Sequence, residues 1–145
     1  MEQRHEYAVD KKETFKRVKE RLESVRLYKR FGFTRKEPNT TAAYNDTPRS
    51  YTGMTSDSTG DIAIHNIEWE ERLFRQCEQV NRAMRVLSRR QREIIERRYL
   101  GDEEITDIHV YMDMCISERT YYYEKEKALY RLAFFLRLEV YEEMK

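Results

Sequence analysis

The sequence predicts an all-α protein, and three observations carry that prediction. Both prolines fall between Gly32 and Gly60 and glycine is scarce, so the long stretches rich in Glu, Lys, Arg and Leu on either side contain little that stops a helix. Apolar residues recur in those stretches at alternating spacings of three and four, the period of one helical face. Asp10, Ser88 and Ser117 stand just ahead of such runs, where a short side-chain oxygen can accept from the first backbone amides. Charged residues make up 38% of the 145 and apolar ones 39%, so the core must be economical: one compact unit with extended helices rather than a large globule.

The first helix spans about Asp10 to Phe31. Phe15, Val18, Leu22 and Val25 form its apolar stripe and Asp10 its N-cap. Its other faces carry Lys11, Lys12, Lys16, Arg17, Lys19, Arg21, Arg26, Lys29 and Arg30, either a solvated surface around a packing stripe or a contact with phosphate. From Thr34 to Gly60 the composition turns to Thr, Ser, Asn, Asp, Gly and Pro, which cannot offset the entropy of ordering; this reads as a flexible linker, with Tyr44, Tyr51 and Met54 as local pins. Such a linker would let the basic helix move independently of the C-terminal helices.

After Gly60 the pattern returns with Ile62, Trp69, Leu73, Cys77, Val80, Met84 and Leu87, the last five spaced four, three, four, three on a long helix. The seam either packs within the chain or pairs two chains, a homodimer through the long helices. Ser88 then opens a new helix at Arg89, with Gln91 at the third position of a capping box. Leu87, Ile94, Ile95, Tyr99 and Leu100 face inward, and Gly101 stops the helix as a left-handed cap. The next segment places Ile105, Ile108 and Met112 at helical spacing behind acids that suit a helix start. Met114, Cys115 and Ile116 link it to Ser117, which caps a long terminal helix with Tyr121, Ala128, Leu129, Leu132 and Leu136 inward.

Two helices joined by so short a turn are what a helix-turn-helix requires, and its second helix works by placing its first turns in the major groove of double-stranded DNA. Outward on those turns lie Glu118, Arg119, Thr120, Tyr122, Tyr123 and Lys127, after the cap Ser117. Arg119 suits guanine, Glu118 cytosine, Thr120 a thymine methyl or a phosphate, and the two tyrosines suit phosphate and sugar. Arg89, Arg90 and Arg92 on the preceding helix add a basic edge for phosphate. Against this, Glu118, Glu124 and Glu126 repel phosphate, and the overall charge of +1 gives no global attraction. Three adjacent tyrosines at an exposed helix start would nevertheless be an unforced apolar surface without a partner.

The predicted organisation is thus a separate N-terminal basic amphipathic helix (1–33), a flexible linker (34–60) and a helical DNA-binding domain (61–145) with the helix-turn-helix at 104–131. His5, His65 and His109 are scattered, and neither metal-ligand spacing nor a glycine-rich phosphate loop occurs, so no catalysis, metal or cofactor is expected. Cys77 and Cys115 read as reduced small hydrophobes. No apolar run is long enough to cross a bilayer and the N-terminus lacks a signal core, so residence in the cytoplasm is expected, away from membrane.

At LSRRQREIIERRYL and ISERTYYYEKEKALYRLAFFLRLEVY the sequence resembles the ArpU-like family of phage transcriptional regulators, strongest from Leu87 to Tyr141. The C-terminal part of that family resembles the sigma-factor domain that reads the upstream promoter element. The resemblance implies a sigma-like helix-turn-helix, with Ser117 as cap, Tyr121 inward, Glu118, Arg119, Tyr122 and Tyr123 toward DNA, and Ala128 and Leu129 packing. It also implies a sequence-specific regulator of late phage genes, as activator or repressor, at work in the cytoplasm of a bacterial host, with host RNA polymerase as a second candidate partner. Cys115 stands where such turns usually carry glycine. Two alternatives share the layout: a small terminase subunit, which would form large rings on DNA, and a polymerase-binding module, which would have no DNA affinity of its own.

Overall fold

The Asp10 side chain accepts a hydrogen bond from the Glu13 amide at 3.1 Å, and a helix begins there. A computed structural model describes residues 8–37 and 58–142 and contains five α-helices: α1 (Lys11–Phe31), α2 (Ser58–Met84), α3 (Arg89–Ile95), α4 (Asp107–Asp113) and α5 (Glu118–Leu136). A π-helical turn, Glu96–Leu100, extends α3. The chain is all-α apart from a single bridge, among the described residues, between Val9 and Tyr141.

The main core joins four helices. Val18, Leu22 and Val25 of α1, Val80, Ala83 and Met84 of α2, Ile95 of α3, and Ala128, Leu129, Leu132 and Ala133 of α5 are buried together with Leu87. The first helix is therefore not a separate unit, as its sequence context suggested. Its stripe is buried against α2 and α5, and loss of that apolar surface to water would cost more than any linker entropy returns. Three residues of its basic face help to hold this position: Lys11 pairs with Glu126, Lys29 donates to the Asn81 side chain at 2.9 Å, and Arg30 donates to the Asp102 carbonyl.

The linker is shorter than expected, and the seam takes the first of its two readings. Residues 34–37 do not belong to a free linker, because the Asn66 side-chain amide clamps the backbone of Lys36, accepting from its N–H at 2.9 Å and donating to its carbonyl at 3.0 Å. Helix α2 already starts at Ser58, and the rest of the proposed linker, with Tyr44, Tyr51 and Met54, lies outside the described residues. The seam of α2 is taken up inside the chain, since Val80, Met84 and Leu87 are buried and Cys77 packs on the same cluster.

The helix ends show why the chain turns where it does. α1 stops at Gly32, whose φ of 69° and ψ of −162° lie in a region open essentially to glycine alone. Gly101, expected to be left-handed, has φ −70° instead; the π turn absorbs the change of direction before it is reached. α4 and α5 each close with the two crossed hydrogen bonds of a Schellman cap, Ile116 to Tyr111 and Cys115 to Met112 in one, Leu138 to Ala133 and Arg137 to Phe134 in the other. Both put a residue with a Cβ in the left-handed position, Cys115 at φ 52° and Arg137 at φ 55°. The terminal helix thus ends at Leu136, and the chain doubles back to the N-terminus: the Asp10 amide donates to Val140 O and the Glu142 amide to Ala8 O, both at 2.8 Å.

Candidate nucleic-acid interface

A second, smaller cluster sits beneath the α4–α5 pair. Ile94 of α3, Val110 of α4 and Tyr121 of α5 are buried, with Ile105, Tyr111, Met114 and Ile116 packed around them. Only Val110 of the short helix is buried; Ile108 and Met112, expected inward, are exposed. Ile105 precedes α4, so the helix has two turns in which to define a face, and its inner side falls on Asp107, Val110 and Tyr111 instead.

Polar chemistry fixes the angle between the two helices. Three donors converge on one oxygen of Asp107, the first residue of α4: the Tyr121 hydroxyl at 2.6 Å, the Lys125 ammonium at 2.9 Å and Arg98 Nε at 3.0 Å. Burial pushes the Asp107 carboxyl up, but the hydrogen bonds from Tyr121 and Lys125 and the charges of Lys125 and Arg98 outweigh it and hold the group below its ordinary value. Burial pushes Tyr121 up, and its bond to Asp107 adds to the effect. Lys125 is lowered because burial strips water from its ammonium, partly offset by Asp107. The π turn supplies Arg98 to this knot and Tyr99, over whose ring both Arg98 and Lys125 lie.

α5 starts at Ser117, whose hydroxyl oxygen accepts from the Thr120 amide at 3.2 Å and donates to the Thr120 hydroxyl at 2.8 Å. Those two predicted contact residues therefore serve the cap first. Glu118, Arg119, Tyr122, Tyr123 and Lys127 are exposed, and the Lys127 ammonium rests 4.7 Å from the centre of the Tyr123 ring. The three adjacent tyrosines are split by helical geometry: Tyr121 is fully buried, whereas Tyr123 remains 57% exposed.

The carboxylates that argued against phosphate are mostly engaged. Glu126 is bound to Lys11 of α1, and Glu124 accepts from the Gln91 side chain at 2.9 Å. Glu118 is left as the one of the three without a partner among the described residues. Gln91 also accepts from Arg131 at 3.0 Å, so it ties the start of α3 to α5 and brings Arg89 and Arg90, both exposed and unpaired among the described residues, to that flank. Arg92 does not join them. Its guanidinium donates to the Met84 carbonyl at 3.0 Å and the Leu87 carbonyl at 3.5 Å, closing the end of α2.

The same face of α5 continues beyond the residues read from sequence. Lys11, Tyr123, Glu126, Lys127, Tyr130 and Arg131 line a groove of about 390 Å³ between α1 and α5. The spacing of Tyr123, Lys127 and Tyr130 signals one helical face, but the contribution of Lys11 depends on the docking of α1 and had no local signal. Among the described residues no three His, Cys, Asp or Glu gather where they could hold a metal ion, and no helix is long and apolar enough to cross a membrane.

No family model and no solved structure matches the chain. It is similar to Protein Gp66 of Listeria phage A118, with 29% identity over 106 residues that span 73% of this chain and 72% of that one.

Proposed function

We propose that α4 and α5 act as a helix-turn-helix on double-stranded DNA, with the first turns of α5 in the major groove, and that the protein is a sequence-specific transcription regulator of phage genes. The observation that carries this reading is the division at the start of α5. Tyr121 is buried and bonded to Asp107, while Arg119, Tyr122 and Tyr123 on either side of it stand exposed on a braced helix. An arginine held there can meet the O6 and N7 acceptors of guanine, and the tyrosines can reach phosphate and sugar. Arg89 and Arg90 extend the basic edge. The likeness to a phage protein and the resemblance to ArpU-like regulators support placing this activity on phage promoters.

The test is a randomised-library selection with the full chain at physiological salt. A defined site should emerge, and Arg119→Ala should lose about 1 to 3 kcal/mol at one position of it and relax the preference there. An unchanged profile for Arg119→Ala, or sequence-blind binding by a large ring, would overturn the reading; the ring would point to DNA packaging.

A further inference from the structure

Helix α2 has a second seam, on the side opposite the core. Its inner face carries Leu73, Cys77, Val80 and Met84. Its outer face carries Gly60, Ile64, Ile67, Glu71, Phe74 and Glu78, spaced four, three, four, three, four, which is the repeat of a paired helix. Ile64, Ile67 and Phe74 are 58%, 59% and 55% exposed, so three large apolar side chains stand in water along one line. Scattered exposed apolar residues need no explanation, but a heptad line of them does.

The charges beside this line say what fits it. Asp61, Glu68, Arg75 and Arg82 flank the seam at intervals of seven, acidic in the first half of the helix and basic in the second. A parallel copy would set like charge against like. An antiparallel copy sets Asp61 against Arg82 and Glu68 against Arg75, twice over, by the two-fold symmetry of the pair. It also lays Ile67 of each copy beside Phe74 of the other. The Glu71 side chains near the axis are already bridged to Arg75 at 3.5 Å, which moderates their mutual repulsion.

We infer that the outer face of α2 is a self-association surface on which two copies of this chain pair antiparallel through Ile64, Ile67 and Phe74. The 27 residues of α2 span about 40 Å, and a single helix pair of that length lies at the low end of specific interface sizes, so a reversible, concentration-dependent dimer is expected. The inference rests on α2 alone and is independent of any DNA contact.

Sedimentation equilibrium of the full chain without DNA tests it. The wild type should pass from monomer to dimer with concentration. Phe74→Lys, at an exposed position, should weaken the dimer at least about tenfold with unchanged helical circular dichroism. Two charge-reversed chains, Arg75→Glu with Arg82→Glu and Asp61→Arg with Glu68→Arg, should each remain monomeric and form a one-to-one dimer when mixed. That rescue shows both variants are folded. A wild type that stays monomeric at several hundred micromolar, or reversed chains that dimerise alone as well as the wild type, would overturn the inference and leave this face to another occupant.

Discussion

Replacing Asp107 by Asn tests whether the α4–α5 geometry is held electrostatically. The wild-type carboxylate accepts from Tyr121, Lys125 and Arg98 on a single oxygen, and its side chain is 23% exposed. A charge-assisted hydrogen bond contributes roughly 1.5 to 3 kcal/mol, but three donors sharing one oxygen are not additive. Asparagine keeps the shape and an acceptor for the Tyr121 hydroxyl, yet it leaves Arg98 and Lys125 side by side without an anion. The expected loss is about 1 to 3 kcal/mol, or roughly 3 to 10 °C in Tm for a chain of this size. The pH dependence gives the sharper check. Because the folded carboxyl lies below its ordinary value, its stabilisation is complete above the unfolded value near 3.9 and is lost as pH falls through the folded one. Urea unfolding of wild type and Asp107→Asn should therefore differ most at pH 5 to 7 and converge in acid. A gap that persists unchanged at the lowest pH where both chains fold would refute the charge-based account, and equal stability at pH 7 would remove the knot altogether.

Four other perturbations probe binding and support. Arg89→Ala with Arg90→Ala should weaken binding to every DNA sequence and lower the salt slope by about 2 at unchanged Tm, whereas Arg92→Ala should lose roughly 1 to 2 kcal/mol of stability and leave the slope alone; titrations across salt and a thermal melt read both. Cys115→Gly relieves a left-handed residue that carries a Cβ and should raise the urea midpoint by the equivalent of about 0.5 to 1 kcal/mol, a gain that a lowered midpoint would contradict. Burial pushes the Tyr99 phenol up to about 12, so its folded-state stabilisation is present below the unfolded value near 10 and is lost as pH rises through the folded one; Tyr99→Phe should flatten the alkaline fall of Tm.

What the sequence made legible was local. The caps at Asp10, Ser88 and Ser117 were readable because donor and acceptor lie three residues apart, and all three form. The inward stripes of α1 and α5 were readable because each repeats over about three turns or more. Periodicity names a face but not what covers it, so the stripe of α1 gave no sign that it would meet α2 and α5 in one core. In α4, two turns are too few for the period to average out, and Ile105, Ile108 and Met112 imitated a face that Val110 supplies. The Asp107 knot left no trace, since its partners lie 9, 14 and 18 residues along the chain on different elements. At the candidate interface, exposure of Arg119, Tyr122 and Tyr123 followed from the helical period, while the capture of Arg92 by the end of α2 depended on a turn whose geometry no spacing encodes.

The position of α1 bears on how the proposed interface would operate. A free basic arm would bring charge to DNA but would lose conformational entropy on binding. Here that loss is already taken in folding. Lys11 binds Glu126 on α5, the Asp10 amide and Thr14 hydroxyl hold the segment after α5 through Val140, and Val18, Leu22 and Val25 fill the core behind it. The Lys11 contact also withdraws a carboxylate from the face that α5 presents. If α5 enters a DNA groove as proposed, α1 would favour the anionic partner twice without touching it, by neutralising Glu126 and by bracing the helix that carries Arg119. On the proposed reading the first helix supports the interface from behind, with Lys11, Lys29 and Arg30 engaged inside the fold.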